Sequence, residues 1–543
     1  MNARTLVYGD GGPRRAFSLL LFCAWTLLVL VLAWNHAVWR DEVRAYSLVI
    51  QGNNFIAFLR SLHGDSNSSL WYILIRLGHA LLPRPQVLQI VAYLIAFTSM
   101  LLLVFRSPFS SLSLVLLLFS RFAVYEYSVV ARNYGISMLL LFLLALVYPR
   151  HRDRGLLLGS LLFLLANCNV HSVLLVGAFL VFWLLDLLWN TPTPRRQVLR
   201  NYILNAAIAI VGIVLCAATI YPPINDAATI AHPHGIALLA YLFNSLLHAS
   251  ESFGNLLHIQ PLHLLLQHFS LLHQPYLKIL GASMSLLLFG STLGLVRRPA
   301  ALLASWLALS GFVSFFAVVY PGGYRHEALW LVFLITLYWI AGRDHRHDAT
   351  ASAAKTTPVL HLLQSSGYVA FILLLALQTV AGLLAIAPLL LHKAPEGRAR
   401  DLGRLIDAHA NLRNAIVVAD PDYLVETVPY YVSNPTYLLR EHRFGNIVHF
   451  TRKATLNLSL DDILSQAQQL HAATGKPVLI LLQDRLDPAR PPQVIPEAYD
   501  WTLSTTPDQV RRFQASTCLL KSFGSVSNRA SNNDETYDVY VLK

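Results

Sequence analysis

The chain has 543 residues, of which 55% are hydrophobic and only 13% charged, with a mean hydropathy of +0.51. Ordinary soluble domains carry roughly 25% charged residues, so this composition excludes a single water-soluble globule and leaves room for about ten membrane spans plus one soluble domain. The formal charge of +12 does not indicate nucleic acid, because many of the Lys and Arg residues sit in short loops between apolar runs, as membrane orientation requires.

Arg14-Arg15 precede the first apolar run, residues 16–34. The run is long and has no clear small-x-small cleavage site, so it is expected to be an uncleaved span. Further runs cover residues 87–105, 110–123, 134–148, 155–166, 173–189, 202–221, 279–296, 300–320, 328–341 and 368–391, about 11 in all. Several are too short for a full span and must borrow flanking residues or lie buried in the bundle.

If the chain crosses at every run, its basic residues should collect in alternate loops. Arg14, Arg15, Arg106, Arg150, Arg152, Arg154, Arg195, Arg196, Arg297, Arg298, Arg343 and Arg346 all fall on one side, expected to be cytoplasmic. The other side receives residues 40–86, the turns near Arg132 and His171, residues 222–275 without a Lys or Arg, residues 320–327 and everything after 391. Arg40, Arg44, Arg60, Arg76 and Arg84 run against the rule there and need a reason other than orientation.

The first outward loop, 36–86, opens with Trp39-Arg40-Asp41-Glu42. Residues 42–50 read as a short helix, and Asn53-Asn54 offers a cap for a second at 55–62. Gly64 suits the position after its end, and residues 70–82 form a third. With Phe58, Trp71 and Tyr72 they are expected to lie along the membrane interface. Asp41, where the chain leaves the membrane, sits where dehydration can raise a carboxylate toward a useful general base. Taken alone, an Asp-Glu pair is more often a helix cap or an ion pair, here with Arg40 or Arg44.

Four segments carry a resemblance: Trp39-Arg40-Asp41-Glu42, then His63-Gly64-Asp65 with Leu70-Trp71-Tyr72, then Ala131-Arg132-Asn133-Tyr134, and Tyr324-Arg325-His326-Glu327. In this order and topology the chain resembles the GT-C superfamily of polyprenyl-phosphate-sugar glycosyltransferases, which includes the protein O-mannosyltransferases and the lipid A aminoarabinose transferases. The resemblance covers roughly residues 16–341 and implies a GT-C-like polytopic α-helical membrane protein of the bacterial inner membrane. It implies inverting transfer of a sugar from a polyprenyl-phosphate donor to a glycan, lipid or protein acceptor at the outer face. Asp41 would be the base that takes the acceptor hydroxyl proton, with Glu42 orienting the site. Arg132, Arg325 and His326 would hold the lipid phosphate, whose charge needs fixed cations. His63, Asp65, Glu126, Tyr134 and His171 are the other expected substrate contacts. Many relatives have His-Pro-Pro where this chain has His63-Gly64-Asp65-Ser66. Some hold a divalent metal with carboxylates such as Asp65 and Glu126 and others work without one; none is assigned here.

Arg121 lies inside an apolar run, which is costly without a partner, and Glu126 is within reach. His171, with Asn167 and Asn169, falls at an outward turn, where a lone His is commonly a hydrated cap. In the second outward loop, 222–277, His258, His263, His268 and His273 recur every fifth residue. On a helix that step is about 500°, which scatters them around the axis and argues against a metal site; residues 256–272 are expected to be interfacial helix.

Residues 392–543 are polar and switch pattern. Helix at 400–412, strand at 415–419, helix at 423–431, helix at 460–474, strand at 478–482 and a closing strand at 538–542 predict a soluble α/β domain. Asp420 and Asp422 follow a strand end, where open sheets bind ligands, but also suit a turn and helix cap. No Gly-rich phosphate loop is present. Cys23, Cys168 and Cys216 fall in or near spans and Cys518 in the tail, so no structural disulfide is expected. Two rival functions are a transporter or lipid flippase with Arg121, Glu126 and Asp41 along its path, and a non-catalytic lipid-binding scaffold. The internal repeats common in transporters are not evident.

Overall fold

The computed structural model describes residues 3–9, 15–52, 54–65, 67–190, 195–226, 233–257, 273–348, 358–391, 397–524 and 535–543. His258, His263 and His268 and most of the expected helix 256–272 lie outside the described residues.

The protein is a polytopic α-helical membrane protein with a C-terminal α/β domain. Among the described residues, seven helices are long and apolar enough to cross a membrane: Arg15–Asn35, Val87–Arg106, Tyr134–His151, Val170–Asn190, Arg196–Ile220, Pro299–Val318 and Pro358–Leu390. The other four expected runs are also helical, as Ser111–Leu118, Leu157–Ala166, His273–Thr292 and Tyr324–Asp348. In the last of these, Ala328 to Ile340 are apolar apart from Thr336 and none exposes more than 3%. A helix apolar on every side belongs at the centre of a bundle.

Helix Leu157–Ala166 has only ten residues and is held by close packing in place of length. The Gly159 amide donates to Asn205 Oδ1 at 2.7 Å, and a Cβ on Gly159 would lie 2.8 Å from Asn205. Small residues of this kind let helix backbones approach where lipid gives no hydrophobic drive. The run 110–123 breaks after Leu118 into a π turn at Phe122–Glu126. Trp25 Nε1 and Ser128 Oγ both donate to Ala123 O within that turn, at 3.1 and 2.5 Å, giving the displaced carbonyl partners.

The loops segregate into two ends, as the arginine pattern predicts. At one end Ser110 N donates to Val7 O and Arg343 bonds to Arg106 O and Leu146 O. The short helix Ala3–Val7, absent from the sequence expectation, packs here. At the other end the first loop, the turn before Tyr134, the start of helix Tyr324–Asp348 and the C-terminal domain converge. The first-loop helices are Arg40–Val49, Phe55–Ser61 and Ser69–Leu81, with Asn54 Oδ1 accepting from Ala57 N at 2.8 Å. Gly64 has φ +82°, and a Cβ there would meet Ile224 Cγ1 at 2.7 Å. Glycine is therefore required both by conformation and by contact. Helix Ile236–Leu247, in the second loop, was not anticipated.

In the C-terminal domain β1 (Ile416–Asp420) pairs in parallel with β5 (Val478–Leu482). β9 (Tyr537–Leu542) lies antiparallel between β5 and β8 (Thr517–Phe523). The last strand is thus internal and does not close the sheet. β8 occupies the edge and is largely exposed, so it lacked the apolar signature that marks a buried strand. Val417, Ala419, Leu479 and Leu481 face one core, while Ile416, Val418, Val478 and Ile480 face another on the opposite side. That alternation makes a sheet buried on both faces. A second sheet joins β4 (Asn457–Ser459), β7 (Thr502–Thr505) and β6 (Gln493–Pro496), and β2 (Tyr437–Leu438) pairs with β3 (Arg443–Phe444). Residues 423–431 are not one α-helix. A 3₁₀ segment, Asp422–Thr427, precedes a single α turn, Val428–Tyr431, with Pro429 in that turn. Proline lacks the N–H that an uninterrupted helix would need there.

Asp420 and Asp422 are structural. Asp422 accepts from Leu439 N and Arg440 N at 2.8 and 2.9 Å, and Arg440 bonds to Asp420 and Glu497 at 2.9 and 2.8 Å. Burial raises all three carboxyls; Asp422 is pushed up to about 8, with its two amide donors only partly offsetting burial. A folded-state pKa above the unfolded value means that stability is full below about pH 4 and is lost as pH rises toward 8. Melts of the full chain between pH 6 and 9 should therefore show the C-terminal domain weakening with pH, by up to about 1.4 kcal/mol per unit for each such group. Asp422→Asn should flatten that slope; an unchanged slope would remove Asp422 as its source.

Candidate active site

The Arg40–Val49 helix begins two residues earlier than expected, and its cap is Glu42 reaching back, not Asp41. Glu42 Oε2 accepts from Trp39 N at 3.1 Å and meets His36 Nε2 at 2.9 Å, while Oε1 accepts from Ala131 N at 2.6 Å. His36 in turn bonds to Tyr125 OH at 3.0 Å. The Glu42 side chain is fully buried. One carboxylate thereby joins the end of the first span, the start of the Asp41 helix and the turn that carries Arg132. Reach-back by an acid at the third helical position satisfies an otherwise orphaned N–H.

With Glu42 turned inward, Asp41 is left facing a ring of guanidinium groups. Its Oδ2 lies 3.5 Å from Arg132 and 3.8 Å from Arg325, and its Oδ1 is 3.8 Å from Arg40. Arg132 Nη1 also donates to Asp41 O at 2.8 Å. Arg325 is fixed by stacking 4.5 Å over Trp39, and its carbonyl accepts from Tyr127 OH at 2.6 Å. Asp41 keeps 31% of its side chain exposed. Burial acts to raise its pKa, but Arg132, Arg40, Arg325 and Arg44 outweigh it and hold the carboxyl below the usual range. The sequence expectation of a raised pKa is corrected: the neighbouring cations decide the sign.

Arg132 and Arg325 each keep an unspent donor in this ring. Arg132 Nε and Arg325 Nη1 are buried with no hydrogen-bond partner. Both belong to groups that match a phosphate well.

Beyond Arg132 the aromatic side chains continue. Tyr134 follows Arg132 by two positions, and its ring meets His326 edge-on at 5.4 Å. His326 stacks on His171 at 4.6 Å and accepts from Gly323 N through Nδ1 at 2.8 Å. A neutral imidazole then carries its proton on Nε2. His171 is 6% exposed, surrounded by Phe312, Phe315 and Phe316, and neither ring nitrogen has a partner. It is thus no hydrated cap.

Three expected contacts go elsewhere. His63 is exposed and meets Ala218 O at 3.1 Å. Asp65 is buried between Arg44, at 3.1 Å, and the Tyr72 hydroxyl, which donates to it. Glu126 pairs with Arg121 at 2.8 Å, the pairing expected from the sequence. Asp65 and Glu126 are thus committed to cations, and among the described residues no three His, Cys, Asp or Glu side chains converge as a metal-binding set.

The C-terminal domain covers this end of the bundle through residues the sequence did not single out. Arg44 reaches Glu426 at 2.7 Å and Val448 O at 2.7 Å, and Arg40 lies 4.3 Å over the Tyr423 ring. Arg400 donates to His36 O, Tyr431 OH to Val38 O, and Glu535 accepts from Arg40 N. The arginines that violate the charge rule were the available signal: Arg40 and Arg44 dock the domain, and Arg76 ties the loop to itself through Val49 O at 2.5 Å. Such residues are retained for specific bonds and not for orientation.

No protein-family model matches the chain, and no curated protein matches it. Among solved structures, ArnT from Cupriavidus metallidurans bound to undecaprenyl phosphate is similar with a TM-score of 0.47 and 10% identity, over 96% of this chain and 97% of that one. The apo state of the same protein gives a TM-score of 0.44 and 11% identity over the same shares.

Proposed function

We propose that the protein is a membrane glycosyltransferase that moves a sugar from a polyprenyl-phosphate donor to an acceptor hydroxyl at the end of the bundle covered by the C-terminal domain. The observation that carries this reading is the pair of unspent guanidinium donors, Arg132 Nε and Arg325 Nη1, held beside a part-exposed Asp41. The arginine pattern supports a periplasmic position for this end in a bacterial inner membrane.

In the reaction the acceptor oxygen attacks the anomeric carbon as the bond to the lipid phosphate oxygen breaks, inverting that carbon. The phosphate leaves with the bonding electrons onto Arg132 and Arg325, and the hydroxyl proton passes to Asp41. A free carboxylate held at low pKa is a weak base. A bound phosphate anion would occupy the same guanidinium groups and so weaken their pull on Asp41, raising its basicity when the donor is present. Proton transfer then follows C–O bond formation, when the hydroxyl has become acidic. Tyr134, His326 and His171 would face the sugar beyond the phosphate.

The test is transfer by purified full-length protein from synthetic polyprenyl-phosphate sugars, with free polyprenyl phosphate as competitor. Arg132→Ala and Arg325→Ala should each weaken that competition about tenfold or more, the weight of a charge-assisted contact. Transfer from no donor, with labelled polyprenyl phosphate still bound directly by the protein, would leave a binding protein in place of an enzyme.

A further inference from the structure

Glu535 belongs to the C-terminal domain, nearly 500 positions from the first loop, yet its Oε1 accepts from the backbone N–H of Arg40 at 2.7 Å. Arg40 is the first residue of the helix that carries Asp41. Its N–H is one of the four that a helix cannot satisfy internally, and the domain satisfies it from outside. Glu535 is 3% exposed. Its second oxygen, Oε2, is buried without a partner and lies where a Cβ on Gly397 would stand 2.4 Å away. Room for this carboxyl exists because residue 397 is glycine.

The bond is part of a wider grip. Arg400, Tyr431 and Tyr423 take the backbone or side chains of His36, Val38 and Arg40, and Glu426 takes Arg44. Every one of these contacts falls on residues 36–44, the segment that presents Asp41. We propose that Glu535 is a positioning residue through which the C-terminal domain fixes the catalytic helix, so that the active site is complete only with that domain docked. This deepens, and rests on, the glycosyltransferase reading.

Burial pushes the Glu535 carboxyl up to about 8, with Arg40 lowering it only in part. At neutral pH the group is then mostly protonated, and a glutamine has the same shape and the same accepting oxygen. Glu535→Gln should therefore keep the bond, and Glu535→Ala should lose it.

The experiment uses the full chain and two readouts. Hydrogen exchange at the Arg40 amide should speed up about tenfold in Glu535→Ala and stay near wild type in Glu535→Gln, as expected for one hydrogen bond. Transfer by Glu535→Ala should fall about tenfold or more in kcat with donor KM within about twofold, since misplacing a reacting group costs turnover. If the alanine variant does not fold, Glu535→Asp, shorter by one methylene, takes its place with the same expectation. Wild-type exchange and wild-type kcat in these variants would overturn the proposal. If the wild type itself transfers nothing, the exchange result still decides the positioning role, and the failure belongs to the assigned reaction.

Discussion

Asp41→Asn should lower kcat by about 10²–10⁴, the range for loss of a general base, while donor KM stays level or falls. The second half follows from the charges around the residue. Asp41 lies within 3.8 Å of Arg132, Arg325 and Arg40, so it competes with the donor phosphate for the same guanidinium groups. A neutral amide gives up that competition and leaves Arg132 and Arg325 freer to bind the anion. Loss of turnover together with undiminished lipid-phosphate binding separates a base from a structural ion pair, whose removal would disturb both. Retained turnover in the variant would remove Asp41 as the base. The carboxyl is also held below the usual range by those cations. Its ionised form is thus present throughout neutral and mildly acid pH and lost only as pH falls through that lowered pKa, so any acid limb of kcat/KM above about pH 5 must come from another group.

The architecture was legible where the signal is local or periodic. All eleven apolar runs are helical, and the three helices of the first loop start and end within two residues of expectation because Asn54 and Gly64 act through their own neighbours. Residues 460–474 and 478–482 fall at the observed bounds. What failed was non-local. β8 carries no apolar alternation, and its place beside β9 depends on strand order. The fall in the Asp41 pKa depends on Arg132 and Arg325, about 90 and 280 positions away, meeting one carboxylate. Glu535 and Glu426 look like any acids in a polar tail, and only docking brings them to the first loop. The arginines on the wrong side of the charge rule marked the place without naming their partners.

Glu42→Ala should act differently from Asp41→Asn although the residues are adjacent. Glu42 is buried and holds Trp39 N, His36 and Ala131 N at once. Truncation leaves a buried ring nitrogen, the buried Ala131 amide and the part-buried Trp39 amide without their partner, and each buried polar group orphaned in this way costs about 1–3 kcal/mol. A lower melting temperature is therefore expected, whereas Asp41→Asn, at a part-exposed position, should melt near wild type. Ala131 directly precedes Arg132, so losing the bond to Ala131 N lets the Arg132 turn shift. Donor binding should fail along with turnover. Competition by free polyprenyl phosphate makes the contrast measurable: it should persist in Asp41→Asn and weaken at least about tenfold in Glu42→Ala, the weight of one charge-assisted phosphate contact. Glu42→Gln should lie between. Its amide oxygen can still accept from Ala131 N, but its NH2 then faces the Trp39 N–H, donor against donor. If Glu42→Ala keeps full phosphate binding, the acid is a cap for its own helix and plays no part in aiming Arg132.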